Sequence, residues 1–117
     1  MIQCQLWKDE IRILITDEQK YGSVQVSIPS YDSYILNKAD ALIYSLYVDT
    51  EYRKQGVGSK LLKLAEQQAK LNGVHIIGLE FYPDESETFV LDWYLKNGYK
   101  PFNKDGNLLI KELEEKQ

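Results

Sequence analysis

Eleven consecutive residues, YRKQGVGSKLL at positions 52–62, bring together two glycines, the cations Arg53, Lys54 and Lys60, and the start of an apolar helix. A helix start carries unpaired amides and a partial positive charge. A turn free of side chains at that point lets an anion approach the backbone, and phosphate is the obvious guest. The competing reading is that Gly56 and Gly58 only ease the chain into the helix. Spacing argues against two familiar phosphate loops. A Walker loop needs four residues between its glycines and then Lys with Ser or Thr, whereas one residue intervenes here and Lys60 precedes Leu61. A dinucleotide fingerprint wants a third glycine where Leu61 stands, and DTEYRKQ separates the preceding strand from Gly56. The sequence holds 1 His and 1 Cys, too few for a zinc site built on those ligands, so no metal is expected. Acid and base work falls to carboxylates and phenols.

The elements that must position this turn follow from periodicity. IQCQLW, IRILIT and YGSVQVSI alternate apolar and polar residues and read as an antiparallel meander. Cys4, flanked at alternate positions by Ile2 and Leu6, reads as a buried strand position rather than a nucleophile. After a loop at 29–40, ALIYSLYV (41–48) is nearly all apolar, as a strand covered on both faces would be. From Gly56 to Gly73 the pattern is helical. Val57, Leu61, Leu62, Leu64, Ala65, Ala69 and Leu71 form the apolar half, with Ser59, Lys60, Lys63, Glu66, Gln67 and Lys70 opposite. Asn72-Gly73 ends it as a left-handed cap. VHIIGLEF follows directly, giving strand, helix, strand in the order of a parallel crossover. Asp84 and Glu87 have capping-box spacing, which predicts a second helix from about Glu85 to Asn97, ending at Gly98. YKPF, NKDGN and LLIKEL suggest a closing hairpin.

A chain of 117 residues predicts one domain over 1–117. Its net charge of -4 argues against a nucleic-acid partner, whose phosphates demand a basic face. No segment approaches the roughly 18 apolar residues of a membrane helix, and a single cysteine fits a reducing compartment. With no leader pattern evident, a cytoplasmic location is the default expectation.

LYVDTEYRKQGVGSKLL resembles the acyl-CoA-binding core of the GNAT superfamily of N-acetyltransferases, in which an L-x-V strand end precedes an R/Q-x-x-G-x-G/A turn and an apolar helix. WYLKNGY (93–99) is similar to that family's second signature, often L-Y-x-K-x-G-F, and the likeness covers roughly residues 41–113. The resemblance implies a mixed α+β acyl-CoA N-acyltransferase fold: N-terminal antiparallel strands, a splayed parallel pair with a crossover helix, a second helix and a C-terminal hairpin. It also implies acetyl-CoA as acyl donor, its pyrophosphate gripped by the backbone amides of Lys54, Gln55, Gly56, Val57, Gly58 and Ser59, with Arg53, Lys54 and Lys60 as cations for the cofactor's phosphates or, alternatively, solvated charges on a helix face. The pantetheine arm would pair with the edge of Leu46, Tyr47 and Val48. Tyr94 matches the position of a general acid for the departing thiolate, with helix packing as the alternative. Glu80, in LEF, matches that of a base for the amine, with a solvent-facing strand end as the alternative.

The pattern also departs from that family. Relatives usually carry two helices after the first strand that wall one side of the acceptor site, and no helical periodicity occurs here before Ala41. The groove is then open, or completed by the loop at 29–40 or by a second copy of the chain in a homodimer. Two expectations follow: an enzyme acetylating a primary amine in a ternary complex, or a CoA-binding or interaction module that kept the fold and lost turnover. The acceptor amine is not named by any residue.

Overall fold

The computed structural model describes residues 1–7, 9–29, 38–52, 55–81, 88–104 and 106–113. Three antiparallel strands, β1 (Ile2–Trp7), β2 (Glu10–Thr16) and β3 (Gly22–Ile28), lead into β4 (Ala41–Val48). A 3-10 turn at Thr50–Tyr52 precedes α1 (Val57–Leu71), then come β5 (Ile76–Glu80), α2 (Thr88–Lys96), β6 (Lys100–Pro101) and β7 (Leu108–Glu112). The strands form a single seven-stranded sheet in the order β1-β2-β3-β4-β5-β7-β6. Only β4 and β5 run parallel, with α1 as their crossover. The predicted mixed α+β architecture is therefore observed.

Alternation along the strands decides where the core lies. Ile13 and Ile15 of β2, Val24 and Val26 of β3, Ala41 and Ile43 of β4 and Ile77 and Leu79 of β5 are buried on one face. Leu61, Leu62, Ala65 and Ala69 of α1, recurring at helical spacing, seal that face. Val90, Leu91, Trp93 and Tyr94 of α2 pack against the same cluster, so both helices lie on one side of the sheet. A smaller cluster of Ala39, Leu42 and Leu108 sits on the other side. Both helices end in left-handed glycines, Gly73 with φ 82° and Gly98 with φ 95°. The next amides, of Val74 and Tyr99, reach back to the carbonyls of Ala69 and Tyr94 at 3.1 and 3.2 Å.

Two expected burials are corrected. Cys4 is in a strand but exposed, because β1 is the sheet's edge and α1 lies over β2, β3 and β4. Leu71 is 73% exposed: it follows Ala69 by two residues, about 200° around the helix and so away from the sheet. The predicted capping box at Asp84 and Glu87, most of the 29–40 loop and the charged tail lie outside the described residues. Among the described residues no helix is long and apolar enough to cross a membrane, and no cluster of His, Cys, Asp and Glu could hold a metal ion.

Candidate active site

The parallel pair of β4 and β5 is joined at only three positions, Ala41 with Ile77, Leu42 with Gly78 and Ile43 with Leu79. Its closed end is fastened by Asp40, whose carboxylate accepts the amides of His75 and Ile76, both at 3.0 Å, while its own amide donates to the Ile76 carbonyl at 2.8 Å. Beyond Ile43, β4 runs on to Val48 with no further pair to β5 among the described residues, β5 itself ending at Glu80. In that stretch Ser45 adopts φ 53°, and the register with β3 slips, Gln25 facing Tyr44 but Ser23 facing Tyr47. One extra residue in β4 is a bulge, which bends the strand. Ile43 before the bulge and Leu46 and Val48 after it all face the core, so strand parity inverts across Ser45. Nothing in the sequence announces this, since serine has no special liking for the left-handed region.

β4 remains fixed on its other side. Gly22 pairs with Val48, and a β-carbon at Gly22 would collide with the Tyr47 carbonyl, so only glycine allows β3 to lie this close. The chain beyond β4 is braced by Tyr52 stacking on Tyr21 with ring centroids 3.5 Å apart, and by the Asp49 amide donating to the Tyr21 carbonyl at 2.7 Å. These contacts deliver the chain to the glycine turn.

Gly56 is the residue before α1, with φ 83°, a conformation that L side chains rarely adopt. No side chain among the described residues caps this helix start, so the amides of Val57, Gly58 and Ser59 lie in the first turn, without partners within the helix. Beside them runs an open groove of about 350 Å³ lined by Gly56, Ser59, Lys60, Lys63, Leu64 and Gln67. Arg53 and Lys54 lie outside the described residues; Gln55 is exposed and donates to the Glu51 carbonyl at 3.3 Å.

α2 leans on the same place. The Trp93 indole N–H donates to Ser59 Oγ at 3.3 Å, and its ring lies 3.5 Å from where a β-carbon on Gly58 would stand. Val48 Cγ2 lies 3.7 Å from the same point. The end of β4, the first turn of α1 and α2 thus meet around Gly58. Sequence reasoning placed Ser59 on the solvent half of the helix and gave Trp93 no part; an indole directly before Tyr94 in WYLKNGY was the available signal. Tyr94 is half-buried, edge-on to Tyr99 at 6.1 Å and tilted against Trp93 at 5.1 Å. Burial pushes its phenol above the usual tyrosine range, so it stays protonated and able to donate.

Glu80 closes β5 opposite Leu108 and is half-buried. Alternation sets Ile77, Leu79 and Phe81 in the helix-side core and turns Gly78 and Glu80 to the other face, where a β-carbon on Gly78 would meet Ala39 and Leu108. Continuing the register past Leu42 and Gly78 brings Tyr44 and Glu80 to the two lips of the gap on that face. Leu46, Val48, Gly56 to Ser59 and Tyr94 therefore gather on the helix side, and Glu80 lies across the sheet from them. Tyr47 is 53% exposed. His75 sits at the closed end of β5, away from Glu80.

A sequence family model described as an acetyltransferase (GNAT) domain matches residues 7–101. The chain belongs to the GNAT acetyltransferase family. No curated protein matches it significantly in sequence. Among solved structures, a suggested acyl-CoA N-acyltransferase from Klebsiella pneumoniae superposes with a TM-score of 0.68 at 23% identity, over 94% of this chain and 77% of that one. The PaiA N-acetyltransferase of Thermoplasma acidophilum, solved with coenzyme A, gives 0.66 at 22% identity over 89% and 61%. The ribosomal-protein-S18-alanine N-acetyltransferase of Escherichia coli gives 0.65 at 17% over 96% and 74%. At such identities the likeness is one of fold.

Proposed function

We propose that this chain transfers an acetyl group from acetyl-CoA to a primary amine by direct attack in a ternary complex. The observation that carries the proposal is the parting of β4 from β5 beside an uncapped glycine-started helix. A thioester needs an extended slot with backbone partners, and its pyrophosphate needs free amides at the slot's end; β4 beyond Ile43 and the first turn of α1 are the segments suited to these two needs. Leu46 to Val48 hold the pantetheine arm, and a backbone amide there polarises the thioester carbonyl as negative charge develops on oxygen. Gln55 to Ser59 hold the pyrophosphate, with Arg53 and Lys54 adjoining in sequence. Lys60 and Lys63, along the groove, supply positive charge for the nucleotide end.

Acetyl-CoA contributes an activated acyl carbon and a thiol leaving group. The amine nitrogen bonds to that carbon to give a tetrahedral adduct, the carbon–sulfur bond breaks as Tyr94 gives its proton to the departing sulfur, and the extra proton on the new amide nitrogen returns to the Tyr94 oxygen. Glu80 accepts the ammonium proton directly or through water, from the opposite face of the sheet. Approach of donor and acceptor from opposite faces leaves the acid and base without competition for one proton. The coenzyme A bound to the Thermoplasma relative supports the donor assignment. The acceptors for which structural relatives are named range from a ribosomal protein's alanine to an aminoglycoside, so the acceptor is sought with a panel of peptides, polyamines, lysine and aminoglycosides.

The test pairs calorimetry with acetyl-CoA against free-thiol release over that panel. Wild-type chain binds acetyl-CoA and releases thiol with at least one amine. Tyr94→Phe keeps the affinity and loses about 10²-fold or more in kcat, the scale of a positioned acid. Binding without turnover on every amine would instead make the chain a CoA-binding module, and failure to bind would end the proposal.

A further inference from the structure

We propose that β1 is a self-recognition edge, pairing antiparallel with β1 of a second copy of this chain about a two-fold axis at Cys4. Three independent features of the strand converge on one register. The first is direction of hydrogen bonding. Met1 and Thr16 exchange both backbone bonds, at 2.6 and 2.8 Å, and β1 then pairs with β2 without a slip from Ile2 with Ile15 to Trp7 with Glu10. In an antiparallel ladder such exchange recurs at every second residue, so residues 1, 3, 5 and 7 bond inward to β2. The amides and carbonyls of Ile2, Cys4 and Leu6 point outward along the free edge.

The second feature is the side-chain pattern. Ile2, Cys4 and Leu6 stand opposite Ile15, Ile13 and Ile11, on the face that α1 covers further in. Gln3 and Gln5 lie on the other face. The order apolar, Gln, Cys, Gln, apolar reads the same in both directions. An antiparallel partner centred on Cys4 therefore sets Ile2 against Leu6, Gln3 against Gln5 and Cys4 against itself. A shift of one residue would oppose apolar to polar positions at every step. A shift of two would leave outward groups unused. Only the Cys4-centred register employs all outward backbone groups of residues 2, 4 and 6, about six hydrogen bonds.

The third feature is absence of protection. Met1 is 64% exposed, Ile2 44% and Leu6 79%. Residues 1–7 contain no charged side chain and no proline, the usual guards of a sheet edge. Pairing would continue the rows Ile2-Ile15-Val24 and Cys4-Ile13-Val26-Ile43 across the axis, extending the apolar layer from one copy into the next. The parted strands lie three to four strand spacings, of about 4.8 Å each, from β1, so each copy's site stays separate and open.

Cys4 is the only cysteine, which makes the register directly testable. In the paired state the two Cys4 α-carbons stand about 5.5 Å apart, within reach of a short bismaleimide. The full chain is expected to sediment at twice the 13.6 kDa of one copy as concentration rises, and to crosslink quantitatively through Cys4. Leu6→Lys and Ile2→Glu each reduce the crosslinked fraction at least tenfold while Cys4 stays exposed and reactive. Mixing those two variants restores crosslinking, because position 6 of one copy then faces position 2 of the other with opposite charge. That rescue also shows that neither variant has merely unfolded. A chain that remains monomeric at all concentrations, or a dimer indifferent to both substitutions, or a mixture that fails to recover, would overturn the assignment.

Discussion

Gly58→Ala separates the two meanings of the glycine turn. Gly56 is bound to its position by a positive φ, but Gly58 is not among the positive-φ residues, so alanine fits its backbone. A methyl at Gly58 would lie 3.5 Å from Trp93 and 3.7 Å from Val48, ordinary contact distances. The fold therefore has no need of glycine there. Replacing glycine by alanine within a helix stabilises by about 0.5–1 kcal/mol through propensity and a less disordered unfolded chain. For a domain of this size that is a rise in Tm of about 2–5 °C. The same methyl narrows the space where β4, α1 and α2 converge, against the amides assigned to the pyrophosphate. Loss of one close amide contact there raises the Kd for acetyl-CoA about tenfold, equivalent to about 1.4 kcal/mol. Thermal melts and calorimetry on one preparation give both values. A variant that is more stable and binds less well supports a ligand-driven glycine. Unchanged affinity, or a fall in Tm of several degrees, would refute the reasoning and leave Gly58 a packing residue.

Two further outcomes are expected. Glu80→Gln leaves acetyl-CoA affinity intact and lowers kcat/KM for the amine about 10²-fold near neutral pH. The deficit shrinks as pH nears the amine's own pKa, about 10.4 for a lysine-type acceptor, because the amine then sheds its proton unaided; a deficit constant with pH would remove Glu80 as base. Tyr99, 2% exposed, donates to Glu66 at 2.9 Å, and burial followed by the Glu66 charge pushes its phenol far above the ordinary tyrosine value. Above about pH 10 the unfolded chain releases that proton and the folded chain keeps it, so stability is whole below pH 10 and falls by about 1.36 kcal/mol per pH unit beyond it. Chemical denaturation between pH 8 and 11 should show at least this slope, the buried Tyr94 phenol adding to it, and Tyr99→Phe should remove the Tyr99 share.

Long, strongly periodic segments were legible in the sequence, and short-range exceptions were not. α1 and the two central strands declare themselves because apolar spacing over many residues reports which face meets the core. The bulge at Ser45 hides because it is one residue in an unfavoured conformation, held by pairing with β3 rather than by local preference. Cys4 misled for a related reason. Alternation says which residues share a face, and only the assembled sheet says whether α1 extends far enough to cover it. Within the candidate site, the glycine turn was legible as a helix start without side chains. Trp93 over Gly58 was not, since it joins residues 35 positions apart through the packing of two helices.

The additional residue in β4 carries a consequence for how such a fold gains or loses its cleft. Removing Ser45 would leave Tyr44 opposite Gln25 and Tyr47 opposite Ser23, set Leu46 opposite Val24 between them, straighten the strand, and let its pairing with β5 continue past Ile43. A cleft that opens through one inserted residue also closes through one deletion, and the product would be a sturdier, sealed sheet with the same core and the same helices.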